Sequence, residues 1–114
     1  MREQSAGTAN PNCPSTGCFA GQVIQFDITP LPGSSFPSSF RLTIKVYVGP
    51  GVKENELDIR HTSTLHGTNL VPMCADGSDP SGDCVVSKPI GSSTKIATIT
   101  IEGPGTGNGG WGVG

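Results

Sequence analysis

The side chains best suited to metal chemistry are the two histidines, His61 and His66. If the segment between them forms a β-hairpin, the two imidazoles face each other and, with a carboxylate such as Asp58, would bind copper or zinc. Two imidazoles without a third ligand at a fixed spacing make an incomplete metal signature. The sequence therefore favours exposed surface histidines and keeps the copper or zinc site as the alternative.

Three aspartates, Asp76, Asp79 and Asp83, are concentrated in one stretch that also contains glycine and proline. Carboxylate oxygens on a turning backbone are the ligands that Ca²⁺ requires. The spacing differs from that of the EF-hand loop, in which alternate ligands precede the glycine. We therefore favour a solvated acidic loop whose aspartates accept hydrogen bonds from turn amides, with a calcium site as the alternative.

The four cysteines stand as two local pairs, Cys13 with Cys18 and Cys74 with Cys84. Zinc knuckles use C-x2-C spacing, whereas these pairs read C-x4-C and C-x9-C. The sequence favours disulfides over free thiols and over zinc, although it leaves their connectivity open. Disulfides imply an oxidising compartment, so we expect an extracellular or cell-surface location. Because the first residues lack the apolar core of a secretory signal, we expect that signal to have been removed.

Two aromatic residues, Tyr47 and Trp111, would suit a carbohydrate ligand. Flat aromatic rings stack on the apolar faces of sugars, while neighbouring polar side chains bind the hydroxyl groups. Tyr47 lies on the polar side of an alternating strand, and Trp111 lies in a glycine-rich tail. The sequence favours the simpler interpretation, in which Trp111 closes the core and Tyr47 is exposed without a ligand.

The motifs of several enzyme and binding classes are absent from the sequence. It contains no G-x-S-x-G nucleophile elbow, and no Lys-Ser/Thr pair follows its glycine-rich tail. The seven lysines and arginines are dispersed and the net charge is −2, which argues against a nucleic-acid partner. No apolar run approaches the roughly 18 residues of a membrane span. We expect no catalytic residues.

Strict alternation of apolar and polar residues defines the elements that must position these side chains. The clearest run is Phe40–Val48, and weaker runs cover Gln22–Thr29 and Lys95–Glu102. Alternation with period two predicts strands with one buried face, and no window has a helical period. The sequence thus predicts an all-β, antiparallel two-sheet sandwich of immunoglobulin-like architecture with six to seven short strands. Its expected core comprises Ile24, Phe26, Leu42, Ile44, Val46, Ile99 and Ile101.

The chain divides into an arm and one domain. Residues 1–20 are rich in Gly, Pro, Ser and Asn and have little to bury, so we expect a flexible N-terminal arm that a Cys13–Cys18 bridge would clip. Residues 21–114 form the single sandwich domain and end in a glycine-rich tail. A chain of 114 residues supports one hydrophobic core.

The order of these features resembles the C-terminal immunoglobulin-like β-sandwich modules of secreted bacterial multidomain proteins. The matching segments are the strand Phe40–Val48, a Pro-Gly turn, Glu56-Leu57-Asp58-Ile59, Val71-Pro72-Met73-Cys74, a Gly/Asp/Pro loop, Asp83-Cys84-Val85-Val86-Ser87, and a Thr/Ile strand that leads to Trp111. The resemblance implies that Cys74 pairs with Cys84, that Trp111 closes the core, and that the chain is an extracellular accessory module. The glycine-rich segment 105–110 departs from the pattern.

These observations together predict a non-catalytic extracellular module for adhesion, surface assembly or carbohydrate binding. Its partner would be a polysaccharide or a protein at the cell surface, and the terminal arms would let copies of the chain pair as a homo-oligomer. The alternative is a small copper- or zinc-dependent enzyme that uses His61 and His66. No cofactor other than Ca²⁺, copper or zinc is suggested by the sequence.

Overall fold

A computed structural model describes residues 23–31, 33, 38–105 and 109–114, with the backbone alone at 23 and 24. The predicted arm 1–20, the Cys13–Cys18 bridge and the side chain of Ile24 lie outside this description.

The described residues form seven strands and two short 3-10 helices. The strands are β1 (Val23–Thr29), β2 (Ser39–Tyr47), β3 (Ile59–Ser63), β4 (Gly67–Leu70), β5 (Cys84–Ser87), β6 (Ile96–Pro104) and β7 (Gly110–Val113). The 3-10 helices are Glu54–Glu56 and Cys74–Asp76. One sheet has the order β1-β2-β6-β5 and the other β4-β3-β7, and every neighbouring pair of strands is antiparallel. The all-β two-sheet sandwich is therefore confirmed.

The four-stranded sheet is built around β2 and β6, which pair from Ser39↔Pro104 to Tyr47↔Ile96. Side chains alternate between its two faces, as the period-two pattern predicts. The expected core is confirmed for the six members whose side chains are described: Phe26, Leu42, Ile44, Val46, Ile99 and Ile101. Burial of each such side chain contributes roughly 1.5–3 kcal/mol, so this sheet supplies most of the apolar interior.

The three-stranded sheet covers that interior from the other side, with Ile59, Trp111 and Val113 buried. Its strand β7 lies in the segment expected to be an irregular tail. Pairing with β3 gives this segment its strand conformation, and the side chain of Trp111 is 0% exposed. Closure of the core by Trp111 is confirmed, because its indole also contacts the Phe40 ring at a centroid distance of 6.0 Å.

A disulfide joins Cys74, in the second 3-10 helix, to Cys84 at the start of β5. The pairing implied by the resemblance is thus present. The bond encloses a loop with a sequence separation of 10, and on the chain-entropy model such closure stabilises the fold by roughly 2–3 kcal/mol. Within the described ranges, no helix has the length and apolar character needed to cross a membrane.

Candidate functional site

The structure brings three titratable side chains together inside the sandwich: His61, Asp79 and Asp83. Their exposed fractions are 5%, 7% and 1%. The Nδ1 atom of His61 lies 2.9 Å from Asp83 Oδ2 and 3.8 Å from Asp79 Oδ2. We call these three residues the polar cluster. It connects a strand of the three-stranded sheet to the loop that precedes β5.

Strand alternation directs His61 into the interior. Ile59 and His61 are buried on one face of β3, while Arg60 between them is partly exposed. Trp111 is the partner of His61 in the β3–β7 register, and the two rings stack with centroids 3.9 Å apart and planes 11° from parallel. The indole therefore fixes the plane of the imidazole.

The neighbouring backbone also fits closely against the imidazole at Gly109. A Cβ atom at this position would lie 2.7 Å from His61 Nε2 and would collide with the Thr62 carbonyl oxygen. Its φ of +115° is a second reason why glycine is required there. The Nε2 side of the ring is thus occupied by main chain, and the Nδ1 side faces the carboxylates.

Asp79 is held by its own loop. Its Oδ1 accepts hydrogen bonds from the main-chain N–H groups of Ser81, at 3.0 Å, and Asp83, at 2.8 Å. The N–H of Asp79 in turn donates to the Asp83 carbonyl oxygen at 2.9 Å. These bonds form an Asx-type turn, which is a common use of aspartate in loops. They leave Asp79 Oδ2 directed toward His61.

Asp83 is the most deeply buried member of the cluster. Its Oδ2 is at ion-pair distance from His61 Nδ1, yet this atom has no hydrogen-bond partner among the described residues. The two atoms are therefore close together without the alignment of an N–H···O bond. The other carboxylate oxygen packs over Gly103, where an added Cβ would collide with it. Buried carboxylates without full hydrogen bonding are costly, so this atom needs a physical explanation.

Burial raises the pKa of Asp79 above its ordinary value of 3.8, because desolvation disfavours the charged carboxylate. The negative charge of Asp83 raises this pKa further. The amide hydrogen bonds from Asp83 and Ser81 and the nearby His61 act in the opposite direction. The unfavourable contributions exceed the favourable ones, so the residues of this site do not fully compensate the charge of Asp79.

The polar cluster contains one of the two histidines and two of the three aspartates considered as metal ligands from the sequence. One imidazole nitrogen and two carboxylate oxygens, all within 4.8 Å of one another, have the donor types and proximity to hold a metal ion. His66 is outside the cluster: it lies in the exposed turn between β3 and β4, where its N–H donates to Ser63 Oγ. The hairpin register sets Asn69 opposite His61, so the expectation that the two imidazoles face each other is wrong.

The burial of each histidine and aspartate decides which of the other sequence-based expectations are correct. His66, Asp58 and Asp76 are exposed, whereas His61, Asp79 and Asp83 are buried. The interpretation as surface histidines is therefore correct for His66 and wrong for His61. Of the predicted acidic loop, solvent exposure is confirmed for Asp76 and is wrong for Asp79 and Asp83, which are buried. The predicted capping of turn amides is confirmed for Asp79.

The two aromatic candidates lie in different environments. Tyr47, at the end of β2, is 43% exposed on the outer face of the four-stranded sheet, whereas Trp111 is fully buried. Trp111 therefore has no free ring face for a sugar, and the two residues do not form one platform. A groove of about 410 Å³ lies on the outer face, lined by Lys45, Pro89, Ile90, Gly91, Thr94, Ile96 and Thr98. Tyr47 is not part of this lining, but it pairs with Ile96 in the β2–β6 register.

Sequence reasoning missed the burial of His61, although a signal for it exists. Leu57, Ile59 and His61 follow one another with period two, and extension of that alternation puts the histidine on the buried face. No comparable local signal connects His61 to Asp79 and Asp83, which belong to a different sheet and its loop. The close approach of Gly103 to Asp83, and of Gly109 to His61, also joins segments that are distant in sequence, so no local pattern predicts it.

The chain has no match among protein-family models, curated proteins or solved structures.

Proposed function

We propose that this chain is a non-catalytic extracellular module that binds carbohydrate through the outer face of its four-stranded sheet. The observation that carries the proposal is the groove on this face, whose lining includes Ile96, the register partner of the exposed Tyr47. Tyr47 pairs with Ile96 and Lys45 pairs with Thr98 in the β2–β6 register, so an aromatic ring, a cation and a hydroxyl share one surface. Stacking together with hydrogen bonding to hydroxyl groups is the usual mode of sugar recognition.

The non-catalytic part of the proposal is supported by where the reactive groups lie. His61, Asp79 and Asp83 are all buried, and so are out of reach of a polymeric substrate. The enzyme alternative required His61 and His66 in one site, but only one of the two is buried, and the geometry does not favour it.

The extracellular location is supported by the disulfide between Cys74 and Cys84. Such bonds persist mainly in oxidising compartments. The module would therefore act at a cell surface or in a secreted assembly, where polysaccharides are available as ligands.

The test is retention on immobilised polysaccharides and on a glycan array. We expect wild-type protein to bind at least one glycan class, and Tyr47→Ala to bind it about fivefold more weakly, since loss of a stacked ring removes about 1 kcal/mol. Leu65→Ala is the matched control, because Leu65 is 81% exposed in the β3–β4 turn of the other sheet. Absence of binding by wild type, or equal binding by Tyr47→Ala, would refute the carbohydrate proposal.

Surface assembly is a second candidate, favoured by the free side of β7. This strand is the last in the order β4-β3-β7, so its outer edge bears no strand among the described residues. Edges of this kind accept strands from neighbouring chains. We expect sedimentation equilibrium to detect oligomers of the full chain that dissociate when residues 1–17 are deleted. A monomer at millimolar concentration would exclude this candidate.

A further inference from the structure

We propose that His61, Asp79 and Asp83 bind one divalent transition-metal ion of the zinc class, which fastens the disulfide-bonded loop to the three-stranded sheet. The inference concerns the stability of the fold and is independent of the ligand bound on the outer face. It differs from the histidine-pair site expected from the sequence in its ligands and in its buried position.

The first support is the arrangement of the donor atoms. His61 Nδ1 is 2.9 Å from Asp83 Oδ2 and 3.8 Å from Asp79 Oδ2. Ligands that bind zinc tetrahedrally at 2.0–2.1 Å are themselves about 3.3 Å apart. The two separations lie on either side of that value, so small side-chain movements would bring all three donors onto one ion.

The second, independent support is the unpartnered oxygen of Asp83. The side chain of Asp83 is 2% exposed, and its Oδ2, directed at His61 Nδ1, has no hydrogen-bond partner among the described residues. Leaving a charged buried acceptor unsatisfied is costly, more so than for a neutral group. A metal ion would satisfy this oxygen from the direction in which it already points.

Charge balance supports the same conclusion. With two ionised carboxylates, the cluster carries a negative charge whether or not the imidazole is protonated. Isolated charges are strongly disfavoured in protein interiors and are found paired or bound to metals. One divalent cation with a neutral imidazole and two carboxylates gives a net charge of zero, which suits a site this deeply buried.

The ligands are also held in place by neighbouring groups. Two amide hydrogen bonds fix Oδ1 of Asp79 and leave Oδ2 for the ion, and Trp111 stacks on the imidazole. Cys84, the residue after Asp83, is tied to Cys74. Such supporting contacts orient metal ligands and strengthen their binding.

The donor set also selects the metal. Imidazole and carboxylate together suit zinc and its first-row neighbours, whereas Ca²⁺ takes six to eight oxygen ligands. Three protein ligands leave one position of a tetrahedral zinc site open. Because all three residues are buried, we expect water at that position and not substrate, so the ion would be structural.

The experiment uses untagged, full-length protein from which metal has been removed with a chelator. Titration with Zn²⁺ is followed by calorimetry, and elemental analysis is carried out after dialysis. We expect one equivalent of bound zinc and an increase in the melting temperature of several degrees, which EDTA reverses. Less than one tenth of an equivalent after dialysis, together with an unchanged melting temperature, would overturn the proposal.

Matched pairs of variants identify the ligands. Asp83→Asn and His61→Asn should weaken zinc binding by more than about 100-fold, since even the loss of a supporting group costs 10–100-fold. Asp76→Asn and His66→Asn change the same residue types at exposed positions and should bind zinc as wild type does. Equal loss in the control variants, or zinc binding unchanged in Asp83→Asn, would overturn the assignment.

Wild-type protein gives a result even if the cluster variants do not fold. Nitrogen-15 NMR of the histidine rings should show a zinc-induced shift at Nδ1 of His61 and none in His66. A shift in His66 alone, or no shift in either histidine, would contradict the proposal.

Discussion

The four-stranded sheet and the polar cluster are two regions of one interior that are stabilised in different ways. In the sheet, β2 and β6 place an apolar side chain at every second position, and each one packs against several others. In the polar cluster, His61 of β3 meets Asp79 and Asp83 of the loop before β5, and Trp111 of β7 stacks on the imidazole. The first region depends on repetition of a pattern, whereas the second depends on a few individual contacts.

This difference implies different responses to mutation. An apolar core tolerates a shortened side chain at the cost of a cavity, and the loss is spread over many contacts. A buried polar group loses most of its compensation when one partner is removed, because the remaining charge or dipole is still desolvated. Substitutions in the two regions can therefore be ranked by expected effect.

The largest loss is expected for Trp111→Ala, which affects both regions. The indole packs against Phe40 in the core and stacks on His61 in the cluster. Large-to-small substitution of a buried aromatic costs about 3–5 kcal/mol. Urea unfolding should show this decrease in the free energy of unfolding, with Tyr47→Ala on the exposed face as the control. A loss below about 1 kcal/mol would show that the cluster does not depend on the indole.

The next effect is expected from removal of the disulfide in the double variant Cys74→Ser, Cys84→Ser. In the folded variant the loop keeps its Asp79 hydrogen bonds. The unfolded chain gains conformational entropy, which lowers the free energy of unfolding by roughly 2–3 kcal/mol. Chemical reduction of wild type should give the same decrease in stability. If the variant loses stability while its Asp79 and Asp83 amides stay protected from hydrogen exchange, the loop is held mainly by the polar cluster.

The same contrast explains how much of the fold could be predicted. Alternation along Phe40–Val48 and Lys95–Glu102 predicts which side chains enter the core, because period-two burial is a local property of an extended strand. β7 was not predicted, because four residues containing two glycines carry no pattern of their own. Its conformation comes from pairing with β3 and from the burial of Trp111, both of which involve residues distant in sequence.

The polar cluster was predicted only in fragments. The sequence identifies histidine and the acidic loop as candidates for metal binding, but groups them by proximity along the chain, His61 with His66 and Asp79 with Asp76. Packing of the sheets instead brings His61 to Asp79 and Asp83, because the loop before β5 contacts β3 at this central residue. Such a contact depends on the topology of both sheets, which no short segment specifies.

A smaller effect, confined to the cluster, is expected for Gly103→Ala on β6. The added methyl group would collide with Asp83 Oδ1 and lie 2.9 Å from Phe40 Cε1, so that the carboxylate must shift. Overpacking of this kind costs about 1–3 kcal/mol. Thr100→Ala on the same strand is the control, and chemical denaturation compares the two. Equal stability of Gly103→Ala and wild type would indicate that Asp83 moves freely and is not held in the cluster.

The smallest effect is expected away from the interior, for Arg41→Ala on the outer face of the four-stranded sheet. Arg41 Nη2 lies 2.7 Å from Glu102 Oε2, but the two side chains are 41% and 27% exposed, so water and salt screen the pair. We expect a loss below about 1 kcal/mol that shrinks further in 1 M NaCl. For Asp83→Asn measured in the same salt series, the change in the free energy of unfolding should be similar at every concentration, because the charge of Asp83 is buried away from mobile ions. A salt response shared by both variants would mean that solvent enters the polar cluster, and the contrast between a patterned core and a desolvated polar site would then fail.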